Sequence, residues 1–136
     1  MTYVVLDTNV LVSALWNGLL EGKPAQLLDR CMAGLYTIVY TQEILCEYEA
    51  VLQRPKFGFD ASDVRMLLCF FEFKGHSADP LFDSLSRPQC PDRDDQKFYD
   101  AALCWDALLV TGNKKHFPAD NRVLTPAEFF EHRVLR

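Results

Sequence analysis

The stretch that decides the fold is Tyr3-Val4-Val5-Leu6-Asp7-Thr8-Asn9, near the start of the chain. Its apolar run stops at an aspartate, and two small polar residues follow before apolar residues resume. This pattern is typical of a strand that is buried on both faces of a parallel sheet. Because ligands bind at the carboxyl ends of the strands in open parallel sheets, Asp7 is predicted to lie where chemistry takes place. An ordinary helix-capping turn would also explain the three polar residues, so acids elsewhere in the chain must decide between the two interpretations.

Length and composition indicate one globular domain over residues 1–136. The chain is 49% hydrophobic and 24% charged, which is the balance of a soluble protein. No apolar run is long enough to span a bilayer, and the short apolar start lacks the basic lead of a signal peptide, so we expect a cytoplasmic protein with no membrane partner. The formal net charge of −5 does not favour nonspecific binding to nucleic acid, although it leaves room for a local basic patch.

The cysteines are scattered along the chain, and no two of them have the close C-x-x-C spacing of a redox or metal motif. Their number is odd, and most of them fall in predicted helices. We therefore expect reduced thiols that serve as small apolar residues, and neither a disulfide framework nor a zinc site. The residues concerned are Cys31, Cys46, Cys69, Cys90 and Cys104.

The rest of the chain alternates predicted helices and strands. Helices are predicted over residues 10–16, 24–33, 42–54, 60–74 and 96–105 and after Thr125, and strands over residues 35–40, 107–110 and 122–124. Residues 76–89 are predicted to form an irregular connection with room for one short strand. The alternation predicts an α/β fold, a three-layer α/β/α sandwich with a mostly parallel central sheet. The broad apolar face of the helix over residues 60–74 indicates interior packing or a subunit interface.

Acidic residues from separate segments are predicted to meet at one edge of this sheet. Asp7 ends the first strand, and Glu47 lies early on the helix that follows the second strand. A turn with three further acids precedes the helix that leads into the strand over residues 107–110. Crowded carboxylates are costly unless a cation neutralises them, and oxygen ligands without His or Cys suit Mg²⁺ or Mn²⁺. Such an ion activates water for attack on a phosphate ester.

Six short motifs follow one another along essentially the whole chain. They are Leu6-Asp7-Thr8-Asn9-Val10-Leu11, Thr41-Gln42-Glu43-Ile44-Leu45-Cys46-Glu47-Tyr48, Arg54-Pro55-Lys56, Pro91-Asp92-Arg93-Asp94-Asp95-Gln96-Lys97-Phe98, Leu109-Val110-Thr111-Gly112-Asn113 and Leu124-Thr125-Pro126-Ala127-Glu128-Phe129. Each motif is weak alone, but together and in this order they resemble the PIN-domain family of metal-dependent ribonucleases. The resemblance is strongest to the toxin-type PIN proteins of prokaryotic toxin–antitoxin pairs.

The resemblance implies a set of site residues. The catalytic acids would be Asp7, Glu47 and Asp95, and the metal ligands would be these three together with Asp92. Glu43 is the weaker claimant for the position of Glu47 and fits better as a helix-dipole residue. The fourth acid of the family pattern is replaced here by Asn113, which brings no charge. One bound metal is therefore more plausible than two, and a weak or inactive enzyme stays open.

Small polar and basic residues near these acids are candidates for contact with substrate phosphates. The candidates are Thr8, Asn9, Thr111, Asn113 and Lys114, with Lys115, His116 and Arg93 as further possibilities. Each has an alternative explanation that involves no ligand. The hydroxyl and amide residues suit turns and caps, and a run of basic residues is commonly a solvated surface.

These features favour a Mg²⁺- or Mn²⁺-dependent endoribonuclease that hydrolyses RNA phosphodiesters, and the resemblance implies a cognate antitoxin and a homodimer. The alternative is a noncatalytic PIN module that binds RNA or a protein, which the replacement at Asn113 favours. A phosphatase or receiver domain would need a reactive aspartate with a supporting lysine, and the residues after Asp7 do not supply the usual pattern.

Overall fold

The apolar stretch Tyr3–Leu6 forms the central strand of a parallel sheet in the computed structural model, which describes residues 2–16, 22–81 and 87–134. In this part of the chain the sheet has five strands in the order β3-β2-β1-β4-β5, and every pair is parallel. The predicted sandwich with a parallel sheet is confirmed. The strands are β1 (Tyr3–Leu6), β2 (Thr37–Tyr40), β3 (His76–Ser77), β4 (Leu108–Val110) and β5 (Val123–Leu124).

The strand order runs outward from β1 in both directions, so the chain changes direction in the sheet between β1 and β4. In the register of this pair, Leu6 lies beside Val110. Both are fully buried, because helices cover the two faces of the sheet. The residues that follow them, Asp7 and Thr111, therefore emerge side by side at the switch point of the sheet, where open α/β folds bind ligands.

Helices connect the strands. Within the described residues the second helix contacts the first and the sixth, and the third helix contacts the first, the fourth and the fifth. The predicted boundaries agree with the observed ones to within about two residues. The sequence also predicts that Asn17-Gly18 ends the first helix, and these two residues lie outside the described part of the chain. The helices are α1 (Thr8–Trp16), α2 (Lys23–Met32), α3 (Gln42–Leu52), α4 (Ala61–Lys74), α5 (Gln96–Cys104) and α6 (Pro126–Val134), and the 3₁₀ turns are Pro55–Phe57, Arg93–Asp95 and Lys114–His116.

Side-chain caps fix where two of the helices begin. The Thr41 hydroxyl accepts from the Ile44 amide at 3.1 Å at the start of α3. At the start of α6, the Glu128 amide donates to the Thr125 hydroxyl at 3.2 Å, while the Thr125 amide donates to the Glu128 carboxylate at 2.9 Å. This reciprocal pair is a capping box, which satisfies backbone donors that a helix end would otherwise leave free.

Helix α4 buries one face and exposes another. Val64, Leu68 and Phe71 pack in the core, which confirms interior packing for that face. Met66 and Phe73 are 70% and 81% exposed, so the subunit interface stays a prediction. All five cysteines are free thiols, and Cys31 and Cys90 are buried as small apolar residues. The other three are exposed, so the predicted packing role is wrong for Cys46, Cys69 and Cys104. Among the described helices, none combines the length and the apolar character needed to cross a membrane.

Candidate active site

Asp7 follows β1 directly and lies at the bottom of the crevice between β1 and β4. Its amide continues the sheet ladder by donating to the Val110 carbonyl at 2.9 Å. Its side chain is buried, with the residue only 6% exposed, and it accepts from the Thr111 hydroxyl at 2.7 Å. The backbone of Asp7 is therefore held by β4, and its carboxylate is held by Thr111, the first residue after β4.

A chain of hydrogen bonds joins the ends of β1 and β4 around this carboxylate. The Asn9 side-chain amide donates to Asp7 at 3.3 Å, and its carbonyl accepts from the Gly112 amide at 3.1 Å. A Cβ atom at Gly112 would lie 3.3 Å from the Asn9 side-chain oxygen, so glycine suits this close approach. The Thr111 hydroxyl in turn accepts from the Asn113 amide at 3.0 Å. Asn9 and Thr111 thus donate to Asp7, whereas the Thr8 hydroxyl donates to Glu47. Their contact with substrate phosphates stays a prediction.

Glu47 reaches the same crevice from α3. The Thr8 hydroxyl donates to one of its carboxylate oxygens, and Lys97 Nζ lies 2.7 Å from the other. Beside Glu47, the buried Tyr48 hydroxyl donates to the carbonyl of Leu6, the residue before Asp7. Helix α3 is therefore anchored to the end of β1. Glu43 lies in the first turn of α3, where a negative charge suits the helix dipole.

The acidic turn before α5 contributes Asp95. Because α5 leads into β4, its first turn lies at the carboxyl edge of the sheet. The Asp92 side chain caps the 3₁₀ turn by accepting from the Asp94 amide at 2.9 Å, and both of these residues are exposed. Asp95 is half-buried, and its carboxylate lies 3.6 Å from His116 Nδ1. Asp95 is thus the acid of this turn that faces the crevice.

The charges of the acids affect one another. Burial raises the pKa of Asp7, the hydrogen bond from Thr111 opposes the rise, and the negative charge of Glu47 adds to it. Burial, followed by the charge of Asp7, raises the pKa of Asp95 to about 6, while His116 acts in the opposite direction. The charges of Asp7, Glu47 and Asp95 therefore act on one another, and such a concentration of negative charge favours a cation.

The sequence model of the PIN domain family matches residues 3–115. The chain belongs to the PIN-domain family. It is also 30% identical over 141 residues to "Uncharacterized protein MJ1680" of Methanocaldococcus jannaschii, an alignment that covers 94% of this chain and 89% of that protein. Among solved structures it is similar to VapBC2 from Rickettsia felis, determined bound to a DNA fragment from its promoter, with a TM-score of 0.56 and 18% identity over 90% of this chain and 97% of that one. The latter likeness supports the PIN fold.

The basic segment of this PIN domain, the 3₁₀ turn Lys114–His116, approaches the acids through His116, which lies 3.6 Å from Asp95. The Lys114 ammonium lies 3.1 Å from the Glu128 carboxylate, whereas Lys115 is exposed and has no side-chain ion pair within the parts of the chain that the structure describes. The Asn113 side chain accepts from the Lys115 amide at 3.2 Å and lies 3.1 Å from His116 Nε2. Asn113 therefore caps its own 3₁₀ turn in the arrangement observed here.

Within the described residues, the predicted metal ligands lie near one another, but their side chains do not converge on one point. Across residues 2–16, 22–81 and 87–134, no three His, Cys, Asp or Glu side chains are arranged so that they could hold a metal ion. Asp7 and Asp95 face the crevice, Glu47 is engaged by Thr8 and Lys97, and Asp92 caps its turn. Lys97 is the residue that sequence reasoning missed. Lys97 lies within the motif over residues 91–98, but no local pattern indicates that its side chain contacts Glu47 on α3.

Proposed function

We propose that this PIN-domain protein is a divalent-metal-dependent endoribonuclease. The observation that carries the proposal is the pair Asp7 and Asp95 at the switch point of the sheet, where the buried Asp7 carboxylate acts on the charge of Asp95. The pKa of Asp95 is raised to about 6 by burial and by the charge of Asp7. Membership of a family of nucleases supports the same activity.

The chemistry of the donor set fits Mg²⁺ or Mn²⁺. Asp7 and Asp95 offer hard carboxylate oxygens, and no His or Cys is needed to complete such a site, because these ions keep several water ligands. Asp7 and Asp95 would hold the ion. The bound ion would supply Lewis-acid chemistry, lowering the pKa of a water molecule and stabilising charge on the phosphate.

The residues around the ion would align and hold the substrate. Thr111 and Asn9 fix the orientation of Asp7 through their hydrogen bonds, and the exposed Lys115 of the basic segment would contact the RNA backbone. In the reaction a water oxygen would attack phosphorus and release one proton to solvent, the bond to one bridging oxygen would break with its electron pair, and that oxygen would take up one proton from solvent. The products are a phosphate end and a hydroxyl end, and the ribose hydroxyl takes no part.

The first test compares Asp7→Asn and Asp95→Asn with the wild-type protein on a mixed pool of RNA with Mn²⁺, Mg²⁺ or EDTA. We expect wild-type cleavage that EDTA abolishes, and a loss of at least about 1000-fold in each variant, because a neutral amide binds the cation poorly. Lys74→Met, at the far end of α4, is the matched control and should cleave normally. Full activity of Asp7→Asn in a folded protein would refute the proposal.

A noncatalytic PIN module is the second candidate, and one arrangement favours it. Glu47 is already paired with Lys97, and Asn113 replaces an acid of the family pattern. Titration calorimetry with Mn²⁺ separates the two functions. The nuclease should bind Mn²⁺ in the micromolar to millimolar range, and the module should not.

We further propose that the protein is the toxin of a toxin–antitoxin pair and forms a homodimer. The VapBC2 structure, which has a similar fold, contains two protein components and promoter DNA. The exposed Met66 and Phe73 on α4 offer apolar surface for an interface. Light scattering after size exclusion should give twice the 15.6 kDa of one chain, and a mass of one chain at micromolar concentration would reject the dimer.

A further inference from the structure

Both carboxylate oxygens of Glu47 already receive a donor from the protein. Lys97 Nζ lies 2.7 Å from Oε1, and the Thr8 hydroxyl donates to Oε2. The Lys97 ammonium also donates to the Asp94 carbonyl, and its side chain is only 9% exposed. The Lys97 ammonium is therefore fixed between α3 and the 3₁₀ turn Arg93–Asp95, unlike that of a surface lysine that moves freely in water.

This ammonium would compete with any divalent cation that approached the same carboxylate. Two cations on one carboxylate repel each other strongly in a partly buried site, so Glu47 can coordinate a metal only if Lys97 moves away. Asp7 differs, because its described side-chain donors are the Thr111 hydroxyl and the Asn9 amide, which are both neutral. His116 is the described basic side chain that lowers the pKa of Asp7, and its effect is smaller than those of burial and of Thr111. No described lysine or arginine forms an ion pair with Asp7, so an added cation can still neutralise its charge.

We propose that Lys97 is a built-in counter-cation, which holds Glu47 outside the direct coordination sphere and limits the acidic crevice to one divalent ion bound through Asp7 and Asp95. The inference rests on the proposed function, since it concerns the same crevice. Lys97 is a positioning residue in this account. It fixes Glu47, and Glu47 receives the Thr8 hydroxyl at the first residue of α1, directly after Asp7.

The test measures Mn²⁺ binding to the full-length, metal-free protein in the absence of RNA. Calorimetry gives the affinity, and electron paramagnetic resonance of the unbound Mn²⁺ gives the number of ions per chain. Lys97→Met keeps the apolar stem and removes the charge, so that Glu47 becomes available as a ligand. We expect one ion in the wild-type protein, and in the variant either binding at least about tenfold tighter or two ions.

Matched variants separate this effect from a general change in charge. Lys74→Met removes the same charge at the far end of α4, away from the acids, and it should change Mn²⁺ affinity by less than about threefold. Lys97→Arg keeps the cation and should retain the wild-type ion count. In the double variant Glu47→Gln/Lys97→Met the gained binding should disappear, because the released carboxylate is gone.

The outcomes distinguish this inference from the proposed function. If the wild-type protein binds Mn²⁺ and Lys97→Met binds it with the same affinity and count, the counter-cation role is overturned and the nuclease proposal stands. If only Lys97→Met binds Mn²⁺, the counter-cation role stands and the native protein is not a metal-dependent nuclease. If neither binds, both are overturned.

A second variant covers the case in which circular dichroism shows that Lys97→Met does not fold. Glu47→Gln should lose less than about tenfold in Mn²⁺ affinity, since Glu47 is not a direct ligand, whereas Asp7→Asn should abolish binding. A loss in Glu47→Gln as complete as in Asp7→Asn overturns the inference.

Discussion

Asp7 and Glu47 face the same crevice, but the protein treats their charges in opposite ways. Asp7 extends from a central strand and is held by neutral donors, the Thr111 hydroxyl and the Asn9 amide. Glu47 extends from a helix, and a lysine ammonium compensates its charge. The comparison teaches that an acidic cluster does not by itself define a set of metal ligands. The partners of each carboxylate decide which of them still needs a cation.

The largest expected difference is in the cleavage rates of two matched threonine variants, one beside Asp7 and one beside Glu47. Thr111→Val removes the hydroxyl that orients Asp7 and holds its pKa down, and we expect metal-dependent cleavage to fall by about 10–100-fold. Thr8→Val removes one of the two donors to Glu47 and leaves Lys97 in place, so we expect a loss of less than about fivefold. Single-turnover cleavage rates at saturating Mn²⁺ are the measurement.

Mn²⁺ affinities measured on the same two variants serve as the control for folding and binding. Thr111→Val should weaken Mn²⁺ binding along with cleavage, because the donor it removes belongs to a ligand. If Thr8→Val lowered cleavage more than Thr111→Val, the reaction would depend on Glu47. The distinction drawn here between Asp7 and Glu47 would then be wrong.

The fold could be predicted from the sequence because its signals are local. The apolar run of β1, Thr41 at the start of α3, and the reciprocal pair Thr125 and Glu128 each carry their structure within a few residues. Strand β3 was expected only as a short strand somewhere in residues 76–89. It has two residues, which is too short for any periodicity, and its pairing with Val39 and Tyr40 of β2 defines it.

The candidate site could be predicted in part, and there is a physical reason why the rest could not. Strand ends and helix starts can be located from sequence, so Asp7, Glu47 and Asp95 were expected to meet, and the structure brings them into one cluster. The pairing of Lys97 with Glu47 depends on how α3 packs beside α5, which no local pattern encodes. Asn113 was expected to contact a ligand or substrate, and that role stays a prediction, because its side chain caps a turn here.

The smallest expected effect is on the stability of the protein. It tests whether the negative charge of Asp95, the acid next to Asp7 in the crevice, lacks a compensating cation. A carboxyl group whose pKa is higher in the folded than in the unfolded protein binds its proton more tightly when folded, so folding is favoured at low pH. For Asp95, with a pKa raised from 3.8 to about 6, stability should fall as pH rises through that range and stay lower above it. Asp95→Asn has no charge to bury and should lose this dependence.

Thermal unfolding of the metal-free proteins between pH 4 and pH 8 measures the effect. We expect Asp95→Asn to gain stability relative to the wild-type protein by about 1–2 kcal/mol above pH 6, taking about 1.4 kcal/mol per pKa unit and discounting for partial exposure. The gain should shrink towards pH 4, where Asp95 is protonated in the folded protein. Adding Mn²⁺ at pH 7.5 should stabilise the wild-type protein and leave the variant unchanged, because a bound ion supplies the compensation that Lys97 already gives Glu47. A stability difference independent of pH would mean that Asp95 is solvated well enough to need no cation, and the contrast with Glu47 would then disappear.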